Sequence, residues 1–148
     1  MTPAALTDAP NDTLADASAK MWQQQTGSLL VMDGDRLAGI VTERDLLRFV
    51  GEGGDPSSVK LTDVMTKDPV TVSADSRLKD AAEIMFERWF RHLPVVDSEG
   101  KVVGVISLRD LLSLVARSFE EPEALQKLTG LKLVRDARIE RVEAGDLD

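Results

Sequence analysis

Apolar residues recur with helical spacing in two stretches of the chain. Along Leu14–Gln25 they fall three and four residues apart, which places them on one face of a helix. The polar pair Asn11–Asp12 precedes this stretch and is predicted to cap its start. A second stretch, Leu78–Trp89, has the same spacing. The pattern therefore predicts two amphipathic helices.

Short apolar runs after each helix predict β-hairpins. Residues 28–32 and 37–41 flank Asp33–Asp35, and an Asp-Gly pair between two such runs favours a tight hairpin turn. A helix from about Glu43 to Val50 follows the first hairpin. Gly51–Ser58 is dense in turn-forming residues and has no apolar period, so we expect a flexible connection there.

The whole order of elements occurs twice in the sequence. A shift of 64 positions places Met65–Thr66 on Met1–Thr2, and after one inserted residue at Glu99–Gly100 the shift becomes 65 and holds through Val115. A β-α-β-β-α unit cannot cover both faces of its own small sheet. We therefore expect an α/β (α+β) fold in which two pseudo-symmetric repeats pack through their small sheets. The expected segments are 1–58 for repeat 1 with its linker, 59–118 for repeat 2, and 119–148 for a mobile or dimer-contacting C-terminal extension.

Each repeat ends in a strand-to-helix corner with the same polar residues. Thr42 and Ser107 occupy the position of a helix N-cap, and Asp45 and Asp110 follow three residues later. One interpretation is a capping box with Asp in place of Glu, which would stabilise each helix start by about 1 kcal/mol.

A second interpretation takes in the arginines that also recur at these corners. Arg44 and Arg109 lie in the first helical turn, where a cation faces the positive end of the helix dipole. A bound phosphate would remove that conflict, because amide groups at a helix start, a hydroxyl and a guanidinium together bind anions. The neighbouring carboxylate could then accept hydrogen bonds from the two hydroxyls of a ribose.

Composition and charge narrow the functional classes. The chain has 148 residues, a formal net charge of −8, no cysteine and one histidine. The negative charge disfavours nucleic acid and anionic membrane surfaces as partners, and no apolar run approaches the length of a membrane span. The first twenty residues lack a signal-peptide pattern, so we expect a cytoplasmic protein. Without a nucleophile, base and orienting group in one set, we expect no enzyme activity.

Three motifs give the chain a resemblance to a known family. Residues 91–97, 104–112 and 39–47 resemble the cystathionine-β-synthase (CBS) domain, and two such domains in tandem form a Bateman module. The resemblance covers residues 1 to about 116. It implies a regulatory module that binds AMP, ADP or ATP, or else S-adenosylmethionine or NAD, in clefts between the repeats. It also implies a homodimer. Because the sequence contains no attached catalytic, transporter or DNA-reading domain, we expect any effector to be a separate protein. We expect no required cofactor, and the single histidine cannot hold a metal ion by itself.

The same resemblance implies two ligand sites, each combining residues of both repeats. The first site would contain Thr42, Arg44, Asp45, Thr66, Val70, Arg91 and His92. The second site would contain Thr2, Leu6, Gly27, Ser28, Ser107, Arg109 and Asp110. Because Arg91–His92 brings charge where the second site has Gly27–Ser28, we expect the first site to hold the more phosphorylated or tighter-bound ligand.

Several alternatives stay open at this point. The repeats could form a ligand-free scaffold for dimerisation or partner docking, with the corners acting only as helix caps. His92 could be a surface or packing residue rather than a phosphate contact. Trp22, Phe86 and Trp89 lie on the helix stripes of Met21 and Met85, which favours a place in the core or in a dimer interface over a stacking platform for a ligand.

Overall fold

The computed structural model describes residues 5–118, which fall into two compact units. The first unit is Ala5–Pro69 and the second is 70–118. Each contains one small sheet with helices, which confirms the predicted mixed α/β class. Residues 59–69 belong to the first unit, whereas the predicted repeat boundary followed sequence register; that boundary stays a prediction. Thr2 and the predicted extension 119–148 lie outside the described residues.

The first unit contains a four-stranded sheet and three helices. Its elements are β1 (Thr7–Asp8), α1 (Leu14–Gln24), β2 (Ser28–Asp33), β3 (Arg36–Thr42), α2 (Glu43–Gly51), α3 (Leu61–Val64) and β4 (Thr66–Lys67). The strand order is β1-β2-β3-β4, with β1 parallel to β2 and the other neighbours antiparallel. The hairpin between β2 and β3 turns at Asp33–Asp35 as predicted, with Gly34 at φ 63°.

The second unit repeats this arrangement with three strands among its described residues. Its elements are β5 (Val72–Ser73), α4 (Leu78–Arg88), β6 (His92–Val96), β7 (Val102–Ser107) and α5 (Leu108–Ser118). The strand order is β5-β6-β7. Asp8 faces Val31 across the first parallel pair, and Val72 faces Val95 across the second. Both partners differ by 64 positions, which confirms the register found in the sequence.

Each unit has its own apolar core, built on the inner face of its first helix. Leu14, Ala17 and Met21 of α1 are buried with strand residues of β2 and β3. The corresponding residues of α4, Leu78, Ala81 and Met85, form the second core with β6 and β7. Burial of one helix face against one sheet face is the main stabilising contribution in such a layer.

The start of α1 differs from the prediction. Its N-cap is Thr13, whose hydroxyl accepts a hydrogen bond from the Asp16 amide at 3.1 Å. Asp12 instead accepts from the Ala9 amide at 2.8 Å, in the turn before the helix. The prediction of Asn11–Asp12 as the cap was therefore wrong, because a turn that ends at Asp12 delays the helix by one residue.

The connection after α2 is hydrogen-bonded to the rest of the first unit. The Pro56 carbonyl accepts from the Ala15 amide at 3.0 Å, and Asp55 accepts from the Ser57 amide at 3.0 Å. Leu61, which follows in α3, is fully buried in the first core. The Gly51–Ser58 segment is thus held by specific contacts, which the absence of an apolar period did not reveal.

Three aromatic side chains on α1 and α4, or directly after α4, point to solvent. Trp22, Phe86 and Trp89 are 76%, 79% and 82% exposed, so a place in either core is wrong for all three. Phe86 and Trp89 stack on each other with ring centroids 6.5 Å apart. Exposure is compatible with an interface between molecules and with a stacking platform, and both roles stay predictions.

Candidate functional site

The corner between β3 and α2 forms a complete capping box. The Asp45 amide donates to the Thr42 hydroxyl at 3.4 Å, and the Thr42 amide donates to Oδ2 of Asp45 at 2.9 Å. The Thr42 hydroxyl also donates to the same Oδ2 at 3.1 Å. This confirms the capping interpretation of the Thr-x-x-Asp motif. It does not exhaust the carboxylate, because these bonds engage only Oδ2 of Asp45.

The corner between β7 and α5 has the same reciprocal bonds. The Asp110 amide donates to the Ser107 hydroxyl at 3.1 Å, and the Ser107 amide donates to Oδ2 of Asp110 at 3.0 Å. Asp110 is buried, with 6% of its surface exposed, whereas Asp45 is half-buried. The two corners therefore share their geometry but differ in how far the carboxylate is removed from water.

An arginine stands in the first turn of the helix at each corner. Arg44 and Arg109 are both exposed. No carboxylate among residues 5–118 forms an ion pair with Arg44. A guanidinium in the first turn lies beside the positive end of the helix dipole, so both can contribute to binding one anion.

Each corner contacts the start of the preceding hairpin in its own unit. Ser28 faces Thr42 across β2 and β3, and the Glu43 amide donates to the Gly27 carbonyl at 3.0 Å. In the second unit the corresponding contacts involve charged residues.

There, His92 faces Ser107 across β6 and β7, and the Leu108 amide donates to the Arg91 carbonyl at 2.7 Å. His92 is half-buried and Arg91 is exposed. The charged hairpin start thus lies beside the second corner within one unit, and the neutral one lies beside the first.

The remaining predicted site residues are divided between the units. Thr66, exposed on β4, faces Ile40 of β3, so it shares a unit with the first corner. Val70 packs against the second core. Leu6 packs against the first core, and its carbonyl accepts from the Leu30 amide at 2.8 Å. Within the units the structure brings together residues of both predicted sites; their combination across the repeats stays a prediction.

A close approach of backbone positions Thr66. A Cβ on Gly39 would lie 2.8 Å from the Thr66 carbonyl oxygen and 2.5 Å from the Met65 sulfur. Only glycine therefore lets β4 pair with β3 at this point. The pairing at this edge of the sheet therefore depends on residue 39.

The structure reveals one charged pair with a buried carboxylate that the sequence pattern did not indicate. The Asp8 carboxylate on β1 accepts a hydrogen bond from the Lys20 ammonium on α1. Burial raises the pKa of Asp8, and the nearby Lys20 offsets part of that rise. The hydrogen bond to Asp8 raises the pKa of Lys20.

Two further classes of site can be assessed on the described residues. Among residues 5–118, no three His, Cys, Asp or Glu side chains are grouped so as to hold a metal ion. Over the same residues, no helix is both long enough and apolar enough to cross a membrane.

Comparison with known proteins gives a consistent family match. The family model of the CBS domain matches residues 1–52 and 61–117. A 17.7 kDa protein of Acidianus ambivalens is 39% identical over 127 residues, covering 82% of this chain and 76% of that protein. The inosine-5′-monophosphate dehydrogenase of Methanocaldococcus jannaschii is 34% identical over 133 residues, but the match spans only 25% of its length.

Solved structures show the same fold. A protein with CBS domains from Burkholderia ambifaria is 36% identical with a TM-score of 0.71, covering 77% of this chain and 82% of that one. A CBS domain protein from Pyrobaculum aerophilum complexed with AMP is 25% identical with a TM-score of 0.69, covering 78% and 95%. CBSX2 in complex with AMP is 27% identical with a TM-score of 0.65, covering 76% and 88%.

Proposed function

The chain belongs to the CBS domain family, and on that premise we propose that it is a regulatory module that binds an adenine nucleotide between its two repeats. The observation that carries the proposal is the duplicated corner, in which a helix start, a hydroxyl, a carboxylate and an arginine meet twice. Such a group of donors suits a ribose phosphate. The AMP complexes of two similar structures support adenosine as the ligand class.

In this proposal the capping box and the ligand use different atoms of one carboxylate. Oδ2 of Asp45 holds the Thr42 amide and hydroxyl, and Oδ1 accepts hydrogen bonds from ribose hydroxyls. Arg44 binds phosphate beside the positive end of the α2 dipole. Because the cap fixes the carboxylate before ligand arrives, little side-chain entropy is lost on binding.

The two proposed sites differ in charge. The first site, with Thr42, Arg44, Asp45 and Thr66, gains Arg91 and His92 from the second unit. The second site combines Ser107, Arg109 and Asp110 with Gly27, Ser28 and Leu6. Since two additional cationic or hydrogen-bonding groups favour added phosphate, the first site holds ADP or ATP more tightly than the second does.

In this proposal the module regulates by binding a nucleotide and not by catalysing a reaction. A nucleotide shifts the geometry of the module only as far as its affinities for two conformations differ. The module would carry out no chemistry on the ligand and would pass the change to a separate effector protein in the cytoplasm.

We further propose a homodimer formed through the exposed apolar helix faces. Trp22 and Leu47 of the first unit are 76% and 74% exposed, and the equivalent Phe86 and Leu112 of the second are 79% and 61% exposed. Exposed apolar groups repeated at equivalent positions favour burial in a symmetric interface.

Sedimentation can test the dimer with a matched pair of variants. Leu47→Lys with Leu112→Lys should convert a dimer to a monomer, because the substitutions place charges in the apolar interface. Both leucine side chains are exposed, so their loss leaves the cores intact. Gln23→Lys with Glu87→Lys, also on exposed helix positions, should leave the dimer in place. A wild type that sediments as a monomer would contradict the interface.

The ligand is tested by thermal unfolding with AMP, ADP, ATP, S-adenosylmethionine and NAD in turn. A ligand at 100 times its Kd adds about 2.7 kcal/mol to the free energy of unfolding. We expect the adenine nucleotides to raise the melting temperature. A rise only with S-adenosylmethionine or NAD would change the ligand, and no rise with any would favour the ligand-free scaffold.

A further inference from the structure

One ion pair in the first unit stands where the second unit has two apolar side chains. By the shift of 64 positions, Asp8 corresponds to Val72 and Lys20 to Ile84. The Asp8 side chain is 2% exposed and the Lys20 side chain is 47% exposed. Val72 is buried in the second core, and Ile84 packs against that core. The two repeats thus differ in the chemistry between their edge strand and first helix.

The strands that carry these residues are otherwise interchangeable. β1 and β5 each have two residues, each lies at the edge of its sheet, and each pairs in parallel with the following strand at the same register. Main-chain hydrogen bonds do not distinguish one short strand from another. A chain with two similar sheets therefore needs side chains to assign each edge strand to its own sheet.

One strand of the first sheet has a different position in the sequence alignment from its position in the fold. β4, which joins the first sheet, aligns in sequence with residues 2–3 at the start of the chain rather than with any other strand of the first repeat. In solution a second copy of the chain adds two more sheets that could accept a wrong strand. Assignment of β1 and β5 is therefore a real choice for this fold.

We propose that the Asp8–Lys20 pair directs β1 to the first sheet and excludes it from the second. On the second sheet Asp8 would take the place of Val72, with Ile84 where its lysine should be, and a buried carboxylate without a partner is strongly disfavoured. The reverse error would place β5 on the first sheet, with Val72 beside Lys20. This error is disfavoured less, because Lys20 is half-exposed and its ammonium can reach water.

The contacts of the pair favour this role over a purely stabilising one. Among the described residues, Oδ2 of Asp8 is buried without a hydrogen-bond partner, so the carboxylate is incompletely compensated. Replacing such a pair by apolar residues of similar volume is often neutral or stabilising. The pair is thus better explained by what it excludes than by the free energy that it adds.

Four proteins separate the effect of a difference between the two repeats from the effect of the ion pair itself. Asp8→Val with Lys20→Ile makes both repeats apolar, and Val72→Asp with Ile84→Lys makes both charged. All four substitutions together move the pair to the second repeat. The wild type is the fourth protein. Each is unfolded in denaturant and refolded, and the native fraction is measured by size exclusion and by the number of backbone amide resonances.

The proposal predicts that discrimination depends on asymmetry. The ratio of correctly assigned to misassigned molecules should fall on the order of 100-fold in both symmetric variants, giving exchanged oligomers or doubled resonances. The four-substitution protein should refold to one species as the wild type does. Because the apolar variant is expected to fold at least as stably as the wild type, it decides the matter alone: refolding as homogeneous as that of the wild type overturns the proposal.

Discussion

The two units share a backbone pattern but differ in polar chemistry. In the first, a charged pair lies between the edge strand and α1, and the hairpin start beside the corner is the neutral Gly27–Ser28. In the second, the same interior positions are apolar and the hairpin start is Arg91–His92. Equivalent apolar positions form the same strands and helices in both units. The polar residues can therefore differ, and can determine strand assignment and ligand preference, without a change of fold.

The largest loss of stability is expected from a change at the β3–β4 edge of the first sheet, since among the described residues the second sheet has no strand equivalent to β4. Gly39→Ala should destabilise the protein by about 2 kcal/mol, because the new Cβ would meet the Thr66 carbonyl and the Met65 side chain. Gly51→Ala is the control, since no atom lies within 4 Å of its Cβ position, and it should be neutral or stabilising. Denaturant unfolding measures both; equal effects would contradict the close approach.

Breaking the ion pair should cost less than the clash but more than a cap. Lys20→Met leaves the Asp8 carboxylate buried without its partner and should lower the free energy of unfolding by about 1–2 kcal/mol, since protonation relieves part of the penalty. Ile84→Met, the equivalent change in the second unit, conserves apolar volume and should cost less than about 1 kcal/mol. If both variants unfold at the same denaturant concentration, the repeats do not differ as described.

The same pair predicts a dependence on pH. Because burial raises the pKa of Asp8 above 3.8, its contribution to stability is present below that pH and is lost as pH rises through its folded-state pKa. The raised pKa of Lys20 contributes stability that is lost only above its own, alkaline value. The stability of the Asp8→Val, Lys20→Ile protein relative to that of the wild type should therefore increase as pH rises from about 3 toward neutrality. A constant difference in melting temperature over that range would exclude a raised Asp8 pKa.

The smallest effect concerns the helix starts. Thr13 caps α1 with its side chain, whereas Arg77 at the same position of α4 makes no side-chain cap bond. Thr13→Ala should cost about 1 kcal/mol, and Arg77→Thr should gain up to about that amount. Thermal unfolding measures both. A loss at Arg77→Thr would show that the first turns of α1 and α4 are not equivalent.

Local pattern predicted most of the fold because repeated apolar spacing and turn residues act over a few positions. The helix faces, the hairpin at Gly34 and the Thr42–Asp45 box are all of this kind. The exposure of Trp22 was not predictable, since spacing shows which face is apolar but not how far the core reaches across it. The Gly51–Ser58 segment has no apolar period, so its sequence did not indicate the contacts of Pro56.

The buried pair was missed for a different reason. A strand of two residues has no period, and Lys20 lies off the apolar face of α1. The signal was nevertheless present in the repeat alignment, where Asp8 and Lys20 replace Val72 and Ile84 with opposite charges. The pairing of site residues across the repeats depends on how two folded units meet, which local spacing does not determine; only the family resemblance implied it.

The central claim, that the arginine corners bind an adenine nucleotide, is tested most directly by calorimetric titration of AMP into three proteins. Arg44→Gln with Arg109→Gln removes both first-turn guanidiniums, and Arg48→Gln removes one charge from the last turn of α2. The account predicts that AMP binds the wild type and the Arg48 variant alike and binds the double variant at least about 10-fold more weakly, the loss of one or more charge-assisted hydrogen bonds. Equal affinity in all three proteins, or no heat of binding in the wild type, would contradict it.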